Sequence, residues 1–543
     1  MPVENDEHCD SIAWRMATLV TICNILRDAR SGSHYVSCWK GSTRTVIGHW
    51  RSARLRLIPA LWVLSISGCA VGPNFKPPVA PSLSGYTAGP LANTVATADV
   101  TGGDAQRFIE GADLPGDWWT LFHSRRLNDL IERALANNHD LKAAQAALSE
   151  ARENVLAQRS AYFPSVGAEF SASRQKQPGS LAPVPSNNAL EYNLFTPQLS
   201  ISYVPDVFGL NRRTVESLQA QAQSVRFQML ATYTTLTANV VVTAIQASAT
   251  QAQIDATRRL VAINSHALDT LNYQFHKGYS SGLEVAAQQS QLAQVAATLP
   301  PLLKQSEQQQ HLLAVLTGRF PSETQAQIFA LSSLQLPVDL PVSMPSTLVA
   351  QRPDVRQAQA NLHAASAQIG IAVANRLPNF TLTADAGSTA LAISQVFDSG
   401  TGFWGLATDV AAPLFEGGKL LHQERAAKSA YTLAAEQYRG TVLTAVQNVA
   451  DTLTALQQDA EGLKAAAAAE HAARTTLDLA QQQVRDGYTS DLPLLNAEQT
   501  YQQARINLIQ AQASRYADTA ALFQALGGGW WRHPDLTQNA NGN

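Results

Sequence analysis

One segment of this 543-residue chain has the residue types and spacing that covalent catalysis requires. Gly278-Tyr279-Ser280-Ser281-Gly282 satisfies G-x-S-x-G, the elbow that presents a nucleophilic serine in α/β-hydrolases. That elbow needs a strand before the serine and a helix after it, so that the hydroxyl stands at the top of a parallel sheet. Here a long helical pattern precedes Ser280. The matching segment of a second, related half reads Gly487-Tyr488-Thr489-Ser490-Asp491, with neither the serine in that place nor the final glycine. The pentapeptide is therefore read as a helix-helix turn, with a Ser280-dependent hydrolase as the alternative. The histidines are scattered, without HExxH or a Cys/His spacing suited to a metal, and no P-loop or dinucleotide fingerprint occurs. No catalytic residue, metal or cofactor is expected, and any energy-consuming step belongs to a partner.

A second chemical signal ends at Cys69. Arg51, Arg54 and Arg56 precede the apolar run Leu57 to Ile66, which is too short to span a bilayer as a mature helix but suits a signal-peptide core. It leads into Ile66-Ser67-Gly68-Cys69. This tetrapeptide resembles the bacterial lipobox, in which small residues admit the lipoprotein signal peptidase and the thiol takes a diacylglyceryl group. Residues 51–68 are thus expected to be a signal peptide, and Cys69 to carry diacylglyceryl and N-acyl lipid. Several chains on one residue anchor stably, because each buried methylene contributes about 0.8 kcal/mol and one chain alone is marginal. The bland alternative is a buried free cysteine after an apolar strand. In lipoproteins an Asp after the Cys commonly retains the chain at the inner membrane; Ala70 stands there instead, which favours the outer one. Residues 1–50 lack a periodic pattern and are expected to be a mis-called extension, with translation starting near Val46, or else an unusual N-terminal addition.

Composition narrows the partners. Charged residues make up 15% and the net charge is -3, so there is no basic surface to release counterions from nucleic acid. All four cysteines, Cys9, Cys23, Cys38 and Cys69, precede the body, which excludes a disulfide framework within it.

The elements that position these residues come in two related copies. Asp140-Leu141 through Tyr162-Phe163-Pro164 reads like Asp354-Val355 through Arg376-Leu377-Pro378, and Gln274 to Tyr279 reads like Gln483 to Tyr488. Residues 117–335 and 346–529 are the expected repeats, with 336–345 a Pro-rich connector, 69–116 an N-terminal linker and 530–543 a flexible tail. In each copy a helical pattern stops at a Pro and the apolar period changes to strict alternation. Val166, Ala168, Phe170 and Ala172 alternate with polar or small residues, as do Leu199, Ile201 and Tyr203. In the second copy Phe380, Leu382, Ala384 and Ala386 alternate, and Trp404, Leu406 and Val410 carry the following run. Each copy so supplies one β-hairpin. Four strands cannot close a membrane barrel, which needs about eight, but three chains would supply twelve. Water-facing hairpins in a soluble α+β protein are the alternative.

After each hairpin an uninterrupted helical pattern follows, Asn211 to His276 and Lys419 to Arg485. At about 1.5 Å per residue each reaches roughly 100 Å, and helices that long must find partners along their length. A second helix is expected to return from each far end, Leu283 to Thr317 and Leu492 to Leu526. Their Ala-rich, Gln-rich composition suits side-by-side packing around a wet lumen, since sustained apolar heptads are absent.

Taken in order, these features resemble the TolC-like outer-membrane efflux family, in its lipoprotein branch that serves resistance-nodulation-division pumps. The resemblance runs from about Cys69 to Gly529. It rests on Asp117-Trp118-Trp119 with Leu121-Phe122, Arg352-Pro353-Asp354-Val355-Arg356, Phe415-Glu416-Gly417-Gly418-Lys419 and the two Gly-Tyr tips. It implies an α+β membrane protein: a trimer with a twelve-stranded outer-membrane β-barrel, four strands from each chain, continuous with a long periplasmic α-helical barrel. The implied role is a passive exit duct for exported small molecules. Its partners would be a periplasmic adaptor, contacted through Gly278, Tyr279, Gly487 and Tyr488, and through it an inner-membrane transporter. A periplasmic structural lipoprotein without a pore is the alternative.

The family places acidic residues at the narrowest part of the tunnel, near the start of the second returning helix. Matching Gly487-Tyr488 and Leu494-Leu495 carries those positions onto Pro493 and Asn496, so this chain departs from the pattern. Asp486 and Asp491 flank the same turn and are the substitute gate carboxylates, with Asn496 beside them; three copies of one carboxylate in a confined pore favour cations. The competing role for both is to cap or solvate a helix end, Asp491 as N-cap of a helix starting at Leu492.

Overall fold

The computed structural model describes residues 70–83, 85–87, 89–176, 191–323, 329–489, 491–534 and 536, without the side chain of Asp491. Cys69, the expected signal peptide and residues 1–50 lie outside the described residues.

Helix α1 (Arg125–Asn137) starts at Ser124, whose side chain accepts the Leu127 N–H, and α2 (His139–Arg159) at Asn138, which accepts the Leu141 N–H. Both residues satisfy N–H groups that the first helical turn leaves without partners. Two antiparallel strands follow Pro164. We number them β2 (Ser165–Lys176) and β3 (Glu191–Tyr203), after the short upstream strand β1 (Arg107–Glu110). Gly209, with φ of 82°, then turns the chain into α3 (Leu210–His276), a single helix of 67 residues. The chain returns through α4 (Gly282–Ala297) and α5 (Leu299–Leu316).

The same order recurs in the second half. After β4 (Asp339–Val342) come α6 (Pro345–Gln351) and α7 (Pro353–Ala374), then β5 (Asn379–Ser388) and β6 (Gly402–Ala411). The Gly417-Gly418 turn, with φ of 57° and 87°, leads into α8 (Lys419–Arg485), again 67 residues, and α9 (Asp491–Ala525) returns. The four long strands form one antiparallel sheet in the order β2-β3-β5-β6.

The motifs that carry the family resemblance hold the body together where its ends meet. Trp118 and Phe122 are fully buried on a 3-10 turn, and their rings lie 5.4 Å and 6.4 Å from that of Phe523 on α9. Arg352 grips Asp354 with two hydrogen bonds of 3.0 and 2.6 Å and donates to the Ala525 carbonyl at 2.9 Å, tying the start of the second copy to its last helix. Such bidentate, charge-assisted contacts are among the stronger side-chain bonds.

Four expectations need correction. The first returning helix is not continuous, because Pro300 and Pro301 lack N–H donors and the helix breaks at Thr298. The second returning helix already includes Asp491, so it does not begin at Leu492. The expected linker 69–116 is not a bare spacer: β1 pairs in parallel with β4, a strand inside the expected connector 336–345. The body also continues past residue 529, because Trp530 starts a 3-10 turn, is buried and donates through its indole N–H to the Gln351 carbonyl at 2.6 Å. Residues 537–543 of the expected tail lie outside the described residues.

Candidate functional site: the four-stranded sheet and the helix tips

Side chains alternate across a strand, so the observed register sorts the sheet residues onto two faces. Val166 pairs with Ile201, Ala168 with Leu199, Ala384 with Leu406, and Phe380 with Val410. Ile201 also pairs with Ala384 across the two hairpins, so one apolar face runs through all four strands. Its large side chains are exposed, among them Val166, Phe170, Leu199, Leu382, Trp404 and Leu406. An apolar face of this breadth, exposed over most of its large side chains and met by Phe208 at Phe380, is suited to hydrocarbon rather than to water. The opposite face carries Ser165, Glu169, Gln198, Ser200, Ser202, Thr383, Asp385 and Asp409. At one end of the apolar face stand Arg174 and Lys176, paired with Glu191 at 3.5 and 3.3 Å. Charge at that level marks where the apolar band stops. Among the described residues, the outer strands β2 and β6 each have one edge without a partner. Among the described residues no helix is long and apolar enough to cross a membrane.

The residue after Cys69 lies at the base of this sheet. Val71 donates to the Phe208 carbonyl at 3.1 Å, in the turn between β3 and α3, and a side chain on Gly209 would strike Ala70 at 2.7 Å. Arg213 secures the segment through the Val71 and Gly72 carbonyls and the Asn74 side chain, at 3.0, 3.2 and 2.8 Å. His363 bonds Glu216 at 2.9 Å and stacks on Phe75 with centroids 4.3 Å apart.

At the far end of the long helices the two tips share one construction. The N–H of Tyr279 reaches the Gln274 carbonyl at 2.8 Å and that of Gly278 the Phe275 carbonyl at 2.9 Å. Tyr488 and Gly487 repeat the pattern onto Gln483 and Val484, at 2.9 and 3.1 Å. This double bond pattern closes a helix through a left-handed residue, and Gly278 and Gly487 have φ of 83° and 74°. Each closure leaves its tyrosine exposed, Tyr279 and Tyr488 alike. Ser280 donates its hydroxyl to the Leu271 carbonyl at 3.1 Å, and Ser281 caps α4 in a reciprocal box with Glu284. Helices flank the pentapeptide on both sides, so the hydrolase elbow has neither its strand nor a presented hydroxyl.

The expected gate residues are partly described. Asp486 is exposed at the C-cap of α8, and Asn496 is exposed on α9, its carbonyl accepting from Thr500. Asp491 is placed as the first residue of α9, and its side chain lies outside the described residues. On the same helix Glu498 is half-buried, its carboxyl pushed up by burial and pulled partly back by His266. A single Glu in a Gln-rich helix has no motif to mark it.

Comparison with known proteins agrees with this architecture. The sequence model of the outer membrane efflux protein family matches residues 130–319 and again 344–528. The pyoverdine export outer membrane protein OpmQ of Pseudomonas putida is 30% identical over 453 residues, 81% of this chain and 94% of that protein. The toluene efflux pump outer membrane protein TtgC of Pseudomonas putida is 28% identical over 477 residues, 87% of this chain and 95% of that protein. Among solved structures, the outer-membrane channel OprN superposes with a TM-score of 0.72 at 26% identity, covering 85% of this chain and all, 100%, of that one. The Campylobacter jejuni CmeC outer membrane channel has the same fold, with a TM-score of 0.75 at 21% identity over 87% of this chain and 98% of that one. Matched by its family over both halves and built on that family's fold, the chain belongs to the outer membrane efflux proteins and is an export component rather than an enzyme.

Proposed function

We propose that three copies of this chain join their sheets edge to edge into a twelve-stranded barrel in the outer membrane, above a continuous helical tunnel in the periplasm. The observation that carries this reading is the four-stranded sheet itself, exposed and apolar on one face, polar on the other, and open at β2 and β6. Open edges are not tolerated in hydrocarbon, four strands are too few to close, and a ring of three copies removes every edge. The tunnel would be a passive duct for small molecules. Two matches to one family model and the recurrent element order support a tandem duplication behind it.

A lipid on Cys69 fits the docking of Ala70 and Val71 at the base of the sheet, where acyl chains would enter the inner leaflet beside the barrel. The exposed tips around Gly278-Tyr279 and Gly487-Tyr488 are the surfaces offered to a periplasmic adaptor, and through it to an inner-membrane transporter that supplies energy. Asp486, Asp491 and Asn496 are assigned to the gate near the second tip.

The test is mass measurement of the detergent-solubilised protein together with conductance in planar bilayers. A trimer that conducts is expected, and a monodisperse monomer that conducts would overturn the argument from strand count. Mass analysis of the mature N-terminus should find acylated Cys69 with nothing before it. Asp486→Ala should change cation selectivity or resting conductance while assembly stays intact; unchanged conductance with altered stability assigns Asp486 to the helix end instead.

A further inference from the structure

The loop between β5 and β6, residues 389–401, stands at the end of the sheet away from the long helices. It has a fold of its own. The Thr389 N–H reaches the Thr401 carbonyl at 2.9 Å, and Ala390 exchanges two backbone bonds with Phe195 at 2.9 and 3.1 Å. Ile393–Gln395 forms a 3-10 turn, and the Asp398 N–H meets the Gln395 carbonyl at 3.0 Å. The register shows to which side this loop folds. Phe380, Leu382, Ala384 and Ala386 lie on the apolar face, so by alternation Ser388 and Ala390 lie there too. The Ser388 hydroxyl donates to the Val396 carbonyl, with the Thr401 hydroxyl 2.7 Å away. Ala390 and Val396 are buried, whereas Leu391, Ile393 and Phe397 are 61%, 65% and 92% exposed. The loop thus folds over the apolar side of the sheet, not the polar one, and leaves three large apolar side chains uncovered.

Its height follows from the same register. The path from Phe380 to Ala390 is on the order of 34 Å along the strand, which a barrel tilt of about 40° reduces to roughly 25 Å, the height of an apolar band. The loop therefore stands where hydrocarbon gives way to headgroups. Arg174 and Lys176 stand at that level as well. Ala172 pairs with Phe195, which bridges to Ala390, and the two cations follow Ala172 on the same face of β2. Both remain largely exposed, and Glu191 is the carboxylate that faces the pair, so one positive charge is left over there. Within the loop Asp398 is the single charged residue.

We propose that the β5–β6 loop is an interfacial anchor: Leu391, Ile393 and Phe397 enter the acyl region of the outer leaflet, and Arg174 and Lys176 take the phosphate groups of its lipids. This rests on the barrel reading, which supplies the membrane and the tilt. Aromatic and apolar side chains beside cations suit that depth, because a ring settles at the boundary while a cation meets the anionic headgroups. In a trimer the three loops form a collar around the outside of the barrel, not a cover over its mouth.

The test uses full-length protein with Phe397→Cys, labelled with an environment-sensitive fluorophore, corrected for labelling of the unsubstituted chain, and reconstituted in vesicles of phosphatidylcholine and phosphatidic acid. Quenching by a nitroxide on the lipid acyl chain should exceed quenching by aqueous iodide severalfold. Emission quenched mainly by iodide puts the loop in water or over the lumen, and emission reached by neither quencher puts it against protein; both overturn the proposal. The same label at Leu406→Cys, on the sheet itself, separates the two readings. Lipid contact at Leu406 without contact at Phe397 overturns the anchor alone, and absence of contact at both overturns the barrel with it. Native mass spectrometry tests the phosphate contact: the extracted protein should retain phosphatidic acid over phosphatidylcholine, and Arg174→Gln with Lys176→Gln should lower that preference about tenfold. An unchanged preference, or full competition by inorganic phosphate, overturns the assignment of a lipid phosphate to these two cations. All four substituted side chains are exposed, so none of the changes removes packing from the core.

Discussion

Helices α3 and α8 hold the same place in their halves and have the same length, 67 residues, yet they meet different surroundings. Around α3 lie α1, α2, α4, α5, α7 and α9, and Leu230, Val240, Val241 and Ile245 are fully buried along its middle. Around α8 lie chiefly α7 and α9, and Leu433 and Leu443 remain 60% and 72% exposed. Neither helix has a strong amphipathic stripe in its sequence, so composition does not distinguish them. Position does: α3 is the interior helix of one chain and α8 a boundary helix. The apolar residues left open on α8 accord with a neighbouring copy lying there, as the open strand edges do.

The sharpest way to break that contrast is to charge the boundary. Leu433→Asp with Leu443→Asp should abolish the proposed trimer in detergent while leaving helix content unchanged, because unpaired carboxylates buried in such an interface are strongly unfavourable. A trimer that survives the pair removes α8 from the interface. Next in size, Ile245→Ala on α3 should cost about 2–5 kcal/mol in chemical denaturation, as truncation in a packed core does. Leu443→Ala in the dispersed chain should stay within about 0.5 kcal/mol, as expected of an exposed position. Equal costs would mean that the two helices are equally buried.

The tips allow a finer comparison. Glu284→Ala breaks the reciprocal box with Ser281, should cost about 0.5–2 kcal/mol locally, and should raise amide exchange at the start of α4 alone. Smallest of all is Gly462→Ala on α8, where a Cβ meets nothing within 4 Å. It should stabilise the dispersed chain by up to about 1 kcal/mol. Lost assembly with that gain would locate a neighbour against Gly462.

Much of this fold was legible in the sequence because its elements are long. Lys419 to Arg485 runs for many turns without a proline, and the alternation through Phe380 to Ala386 repeats often enough to exclude a helix. Short or non-local features were not legible. Four-residue strands such as β1 and β4 contain too few residues for a period, and their pairing joins positions 232 residues apart. The buried Trp530 follows three glycines that read as an ending, although Gly527, Gly528 and Gly529 serve a left-handed path back onto the body. Of the candidate site, the twin tips were readable from Gly-Tyr, whereas Glu498 acquires its character only from neighbours brought by other helices. The break at Thr298 was readable in principle from Pro300 and Pro301, but two prolines at the first turn also suit a helix start.

The contacts of Thr94 and Gln106 with the last helix, α9, bear on the order in which the body is completed. Thr94 meets Arg515 across 421 positions and Gln106 meets Thr519 across 413, so the earliest part of the body is completed by nearly the latest. Contacts of such sequence separation form slowly, because a long loop must close before they contribute. A chain made from its N-terminus therefore presents Thr94 and Gln106 long before Arg515. Completion of the body must await the end of the chain, and until then its strand edges stay unpaired, a state that favours aggregation.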